Sequence, residues 1–145
     1  MKIFIKLILT IFLFLNIFNA SLAENNFYEE GKKKYLEKKY VESKFLLQRS
    51  IVFNPRDIKS YLYLAKIFKI EKNEKEEEKN INTTLLLDPT NEEATYMLIE
   101  IELKKSNYSR VKELTENFEK ICKNLCEKND LILDTLKNLE PKNES

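Results

Sequence analysis

Residues 53–89 read FNPRDIKSYLYLAKIFKIEKNEKEEEKNINTTLLLDP, and the two ends of this stretch match. Phe53-Asn54-Pro55 opens it and Leu87-Asp88-Pro89 closes it, so Pro55 and Pro89 lie 34 residues apart in the same local context. Between them Tyr61, Leu64, Ala65 and Phe68 fall at three- and four-residue spacing, which lines one face of a helix. The spacing predicts a helix over 58–71 and a second over 74–87. Asp57, just after Pro55, is placed to cap the first, and Asn73 the second.

The same register extends on both sides. Glu30, Leu64 and Leu98 form one series at the 34-residue interval, and Gly31, Ala65 and Ile99 form the next. Tyr40, Glu74 and Tyr108 follow, then Leu47 with Ile81, Ser50 with Thr84, and Phe53 with Leu87 and Ile121. One coincidence carries little weight, but many in one register over three units mark an internal repeat. The other helix pairs are predicted over 26–38 and 41–53, and over 91–105 and 108–121. Thr90 with Glu93 makes a capping-box pattern, and Asn107 precedes a second helix as Asn73 does. An amphipathic pair buries its apolar face only by stacking on a neighbour, which leaves an open end. Residues 130–139, DLILDTLKNL, are expected to close that end, with Leu131, Leu133, Leu136 and Leu139 mainly on one side.

These units resemble the tetratricopeptide repeat (TPR), a 34-residue helix–turn–helix unit. Phe27, Gly31, Tyr40, Ser43, Ser50 and Pro55 carry the likeness in the first unit. Tyr61, Leu64, Ala65, Phe68, Thr84 and Pro89 carry it in the second, and Leu98, Tyr108 and Val111 in the third. Two positions depart: Lys123 stands where the third proline would be, and Glu77 where the second unit would have a small residue. The resemblance covers residues 25–123. It implies an all-α, TPR-like helical-hairpin solenoid of three repeats (about 24–57, 58–91 and 92–123), with a capping helix and short polar tail over 124–145. The charged run 71–80, EKNEKEEEKN, is expected to be a solvated convex face. An acidic docking patch is the alternative, weakened by Lys72, Lys75 and Lys79, which alternate with the acids.

In this family the first helix of each pair lines a concave groove that binds a protein or peptide. Projected from the register, the groove residues are Tyr28, Lys32, Tyr35, Lys59, Leu62, Lys66, Lys69, Tyr96, Glu100 and Leu103. Lysines interleaved with tyrosines suit an acidic peptide, with ammonium groups on carboxylates and rings on apolar contacts. Family members that clamp a terminal carboxylate use a Lys/Asn/Arg set along this face. Tyr28 and Glu100 stand where that set has basic residues, so this activity is not implied.

The N-terminus reads as a separate segment. Lys2 and Lys6 precede an apolar stretch, Leu7 to Leu15, and Ser21-Leu22-Ala23 ends in small residues at both outer positions. This is the layout of a secretory signal peptide over 1–23, with cleavage between Ala23 and Glu24. The apolar core falls short of the roughly 20 residues that span a bilayer. Removing Lys2 and Lys6 from 25 basic residues against 24 acidic ones leaves a mature net charge of −1. The expectation is an exported, periplasmic protein of bacterial type with no stable membrane anchor after cleavage. The alternative is an N-terminal anchor in the inner membrane.

Composition narrows the chemistry. One Gly and three Pro in 145 residues argue against a turn-rich β fold, and near-balanced charge gives no basic excess for nucleic acid. There is no His, so the usual nucleophilic triads and His-bearing zinc or haem sites have no imidazole. A single Gly rules out a Gly-rich phosphate loop. The reading is no enzyme, no cofactor and no metal. Cys122 and Cys126 are expected to form a disulfide between the third repeat and the cap, as an even cysteine count in an exported protein suggests. Free thiols or a thiol–disulfide redox role are the alternatives, and a self-associating structural subunit is a third function class.

Overall fold

The computed structural model describes residues 26–139. Among these residues there are seven helices and no strand. They are α1 (26–36), α2 (Tyr40–Phe53), α3 (Ile58–Ile70), α4 (Glu74–Leu87), α5 (Glu92–Lys104), α6 (Tyr108–Ile121) and α7 (Glu127–Leu139). The predicted signal segment, its Ala23–Glu24 cleavage point and the end of the polar tail lie outside the described residues. Two compact units divide within α3, after Ile67.

In the first unit, Ser43, Leu47 and Ser50 recur at helical spacing and form the buried face of α2. Gly31 of α1 meets that face. A Cβ there would come within 3.0 Å of the Leu47 side chain, so only a residue without one fits without displacement. The Ser43 hydroxyl donates to the Gly31 carbonyl at 2.8 Å and satisfies a buried polar group at the same crossing. Phe27 stacks on Phe53 with ring centroids 5.5 Å apart, with the Arg49 guanidinium 4.3 Å from the Phe27 centroid. Asp57 caps α3: its carboxylate accepts from the Ser60 N–H at 3.3 Å, from the Ser60 hydroxyl, and from the Ser50 hydroxyl at 2.7 Å.

In the second unit, α4, α5 and α6 pack in sequence and α7 packs on α6. The core holds Ile81, Ala94, Met97, Leu98, Ile99, Ile101, Val111, Leu114 and Phe118. From α7 it receives Ile132 and Leu136, four residues apart on one face. This corrects the predicted cap. Leu131, Leu133 and Leu139 are exposed, and the helix begins at Glu127, three residues earlier than expected. Two predicted caps also change. Asn91, not Thr90, caps α5 by accepting from the Ala94 N–H at 3.0 Å, while Thr90 bonds back to Asp88. Asn107 makes no cap bond and instead donates to Glu102 at 2.6 Å. Asn73 does cap α4, accepting from the Glu76 N–H at 3.3 Å.

The turn inside each hairpin has one backbone form. Lys38, Lys72 and Ser106, at the 34-residue interval, have φ of 60°, 58° and 56°. Each ends its helix in the left-handed conformation, where a side chain is strained and glycine is not. Each N–H bonds three residues back, to Tyr35, Lys69 and Leu103 respectively. Replacing Lys72 or Ser106 by Gly should therefore raise stability by about 0.5–1 kcal/mol each. Denaturant midpoints of the two variants check this, and a fall in either would show that the side chain contributes more than the backbone strain costs.

Candidate functional site

The residues projected onto the inner face divide into two groups with different surroundings. In the first unit, α1, α3 and the first residue of α2 bring tyrosines together. The rings of Tyr28 and Tyr63 meet edge to face at 6.0 Å, those of Tyr35 and Tyr63 at 5.1 Å, and those of Tyr35 and Tyr40 at 5.7 Å. The Lys59 ammonium lies 5.5 Å from the Tyr28 centroid, and that of Lys66 lies 4.6 Å from the Tyr63 centroid. All four tyrosines are half-buried, so the platform they form keeps part of its surface in solvent. Burial is the main reason that the Tyr28 hydroxyl is pushed up to about 12, with Tyr63, Glu29 and Asp57 adding to it. The phenol is therefore a neutral hydrogen-bonding group throughout the physiological range. Lys32 and Leu62 are also half-buried on these helices. Beside the platform, an open cleft of about 550 Å3 is lined by Tyr28, Glu29, Ser50, Asn54, Arg56, Asp57, Ile58 and Lys59.

Sequence reasoning did not place Tyr63 in this site and read Tyr40 only as a repeat-motif residue. The 34-residue register pointed to Leu62, one position away. The spacing Lys59, Tyr63, Lys66 places Tyr63 on the same helix face as the two lysines, and that signal was available in the sequence.

In the second unit the projected residues are tied to one another. Lys69 forms an ion pair with Glu100, so the ammonium expected to meet a ligand carboxylate already has one. Tyr96 lies beside this pair; burial first, then Glu100, raises its hydroxyl above the ordinary range, and its ring centroid is 6.2 Å from that of Phe118. Leu103 is half-buried on the same helix.

The charged run 71–80 is not a uniformly solvated face. Glu77 is 3% exposed and Asn80 is also buried. Burial raises the Glu77 carboxyl above its usual range, against the pull of Lys104 and Lys69. Position 77 lies at the 34-residue interval from Ser43 and Val111, which are buried as well, and α4 packs on α5. The register, not the local charge, decides its burial.

A second unanticipated feature sits at the α6–α7 turn. Glu92, in the first turn of α5, accepts from the N–H groups of Lys123 at 2.6 Å, Asn124 at 3.0 Å and Leu125 at 3.3 Å. It also takes the Asn124 side-chain amide at 2.9 Å. The Lys123 N–H, opposed by some desolvation and helped by the Asn124 and Leu125 donors, holds the Glu92 carboxyl down at about 2. In the structure Cys122 and Cys126 are joined through their sulfurs around this loop, with Cα atoms 5.2 Å apart.

No protein-family model matches the sequence, and no curated protein matches it. Solved structures do resemble it. The TPR2B domain of yeast Sti1, in a pHsp70 complex, aligns with TM-score 0.72 at 13% identity, over 82% of this chain and 99% of that one. The first TPR of Spaghetti (RPAP3), bound to the HSP90 peptide SRMEEVD, gives 0.71 at 16% identity, over 82% and 97%. The Yersinia enterocolitica type III secretion chaperone SycD, in complex with a peptide of the translocator YopD, gives 0.68 at 14%, over 79% and 89%. At these identities the likeness is one of fold, and the hairpin register, the helix order and these alignments agree that the chain has the all-α fold of a TPR domain.

Proposed function

We propose that this chain is an exported protein-binding scaffold, not an enzyme, and that it takes a peptide segment on the tyrosine–lysine face of its first unit. The observation that carries the reading is the platform of Tyr28, Tyr35, Tyr40 and Tyr63 with the Lys59 and Lys66 ammonium groups against its rings. Such a surface offers apolar ring area together with fixed positive charge, which fits a peptide with acidic and apolar residues. Three structures of similar fold are described as complexes, two of them with peptides, and this supports binding as the use of the fold. Lys69 is excluded from the site because Glu100 holds it.

Exposed ion pairs are worth only about 0.2–1 kcal/mol each, so the rings must contribute most of the affinity. With a peptide selected from a random library on the mature chain, Tyr63→Ala or Tyr28→Ala should weaken binding about tenfold or more. Lys66→Ala should cost less and mainly flatten the salt dependence. Tyrosine variants that fold normally and keep wild-type affinity would remove this face as the site. The export reading rests on the signal-like segment 1–23, and N-terminal sequencing of protein from the envelope fraction should begin at Glu24.

A further inference from the structure

The first two repeat units end at a proline and the third does not: Lys123 stands 34 residues beyond Pro89. Proline lacks an N–H and biases the preceding residue to extended backbone, so Pro55 and Pro89 enforce a break after α2 and α4. Residues 122–126, Cys-Lys-Asn-Leu-Cys, contain neither proline nor glycine. Nothing in their covalent make-up bars them from continuing α6 into α7. Yet the chain leaves the helix at Cys122, with φ −63° and ψ 143°, in the extended region also taken by Asn54 and Asp88 before their prolines.

Two interactions hold this turn in place of a proline. The Glu92 carboxylate takes the N–H groups of Lys123, Asn124 and Leu125, including the one that a proline would lack. The bonded cysteines draw their Cα atoms to 5.2 Å, against about 6 Å for four residues of helix rise. The resulting ring encloses the entire linker between Ile121 and Glu127. Cys126 is exposed and Cys122 half-buried, so the bond is open to attack from the Cys126 side.

We propose that Cys122–Cys126 is a redox latch on the capping helix. Oxidised, it holds the α6–α7 turn and keeps Ile132 and Leu136 packed. Reduced, residues 122–126 rejoin the helix, α7 leaves α6, and the apolar face under it is uncovered. The reductant is a dithiol. Its thiolate attacks Cys126 Sγ, forming a mixed disulfide and releasing Cys122 as the thiolate, which takes up a proton. The second thiol of the reductant then displaces Cys126, so two electrons pass to the protein and the reductant leaves as its own disulfide.

Hydrogen exchange on the full chain, before and after dithiothreitol, tests the latch. Reduction should speed exchange across 130–139 about tenfold or more, leave α4 and α5 unchanged, and increase binding of a hydrophobic dye. Cys126→Ser should behave as the reduced protein without reductant. Adding Lys123→Pro to Cys126→Ser should restore slow exchange, because a covalent stop then replaces the latch; if that variant does not fold, the wild-type comparison decides alone. Unchanged exchange over 130–139 on reduction would overturn the proposal, since packing and the Glu92 contacts would then hold the cap without the bonded cysteines. Equal loosening of α4 and α5, or two titratable thiols in protein isolated without reductant, would overturn it as well.

Discussion

Phe118→Ala should destabilise the second unit by about 3–5 kcal/mol, the largest single-residue loss expected among the described residues. Phe118 is 0% exposed and is the largest of the fully buried side chains among the described residues. It lies one turn before the end of α6, where its carbonyl accepts from the Cys122 N–H at 2.8 Å. Truncation removes the transfer energy of the ring and leaves a cavity, because the facing helices relax only in part. The midpoint of thermal unfolding should fall by roughly 10 °C or more. Hydrogen exchange should show the loss first in α5, α6 and α7, since repeat proteins are stabilised through nearest neighbours. A change below about 1 kcal/mol would mean that the core around α6 is not packed as described.

Glu92→Gln should lower stability by about 1–2 kcal/mol at neutral pH, after allowance for solvent screening at a partly exposed group. The carboxylate accepts three backbone N–H groups and one amide, and its pKa is held down at about 2. A depressed folded-state pKa means that the stabilisation is fully present above the ordinary glutamate value of about 4.3 and is lost as pH falls from there toward 2. Wild-type stability should therefore drop through that window more steeply than that of Glu92→Gln. Glu77 works with the opposite sign. Its carboxyl is raised by burial, so its ionisation opposes folding as pH rises through the raised value, and Glu77→Gln should be neutral or stabilising at pH 7. Parallel denaturant titrations at several pH values separate the two. An unchanged slope in Glu92→Gln would show that the loop is held by other contacts.

Much of the fold was legible because its determinants are local. Pro55 and Pro89, the paired apolar stripes and the Asn73 cap each act within a few residues, and the six repeat helices fall within about two residues of the positions that they predict. Where the signal was ambiguous, the structure chose between the candidates. Thr90 and Asn91 are both capping residues, and the chain used Asn91. In 130–139 the expected face carried Leu131, Leu133, Leu136 and Leu139, and the one that packs on α6 is that of Ile132 and Leu136.

The candidate site was legible in part. Tyr28, Tyr35 and Lys66 were recognised from the register, but register alone missed Tyr63, which joins Tyr28 to Tyr35 through ring contacts. Lys69 and Glu100 were both placed on the inner face, yet 31 residues separate them, and only folding shows that they neutralise each other.

The sequence by itself determined the repeat length, the hairpin order and the lack of histidine, because these follow from periodicity, helix punctuation and composition. The tertiary structure alone decided which charges are spent inside the protein: Lys69 on Glu100, Glu92 on the 123–125 amides, and Glu77 in the core. A charge has no local period, and its partner is fixed only when distant helices come into contact. The energy of that pairing, set by burial and distance, is therefore absent from any short window of sequence.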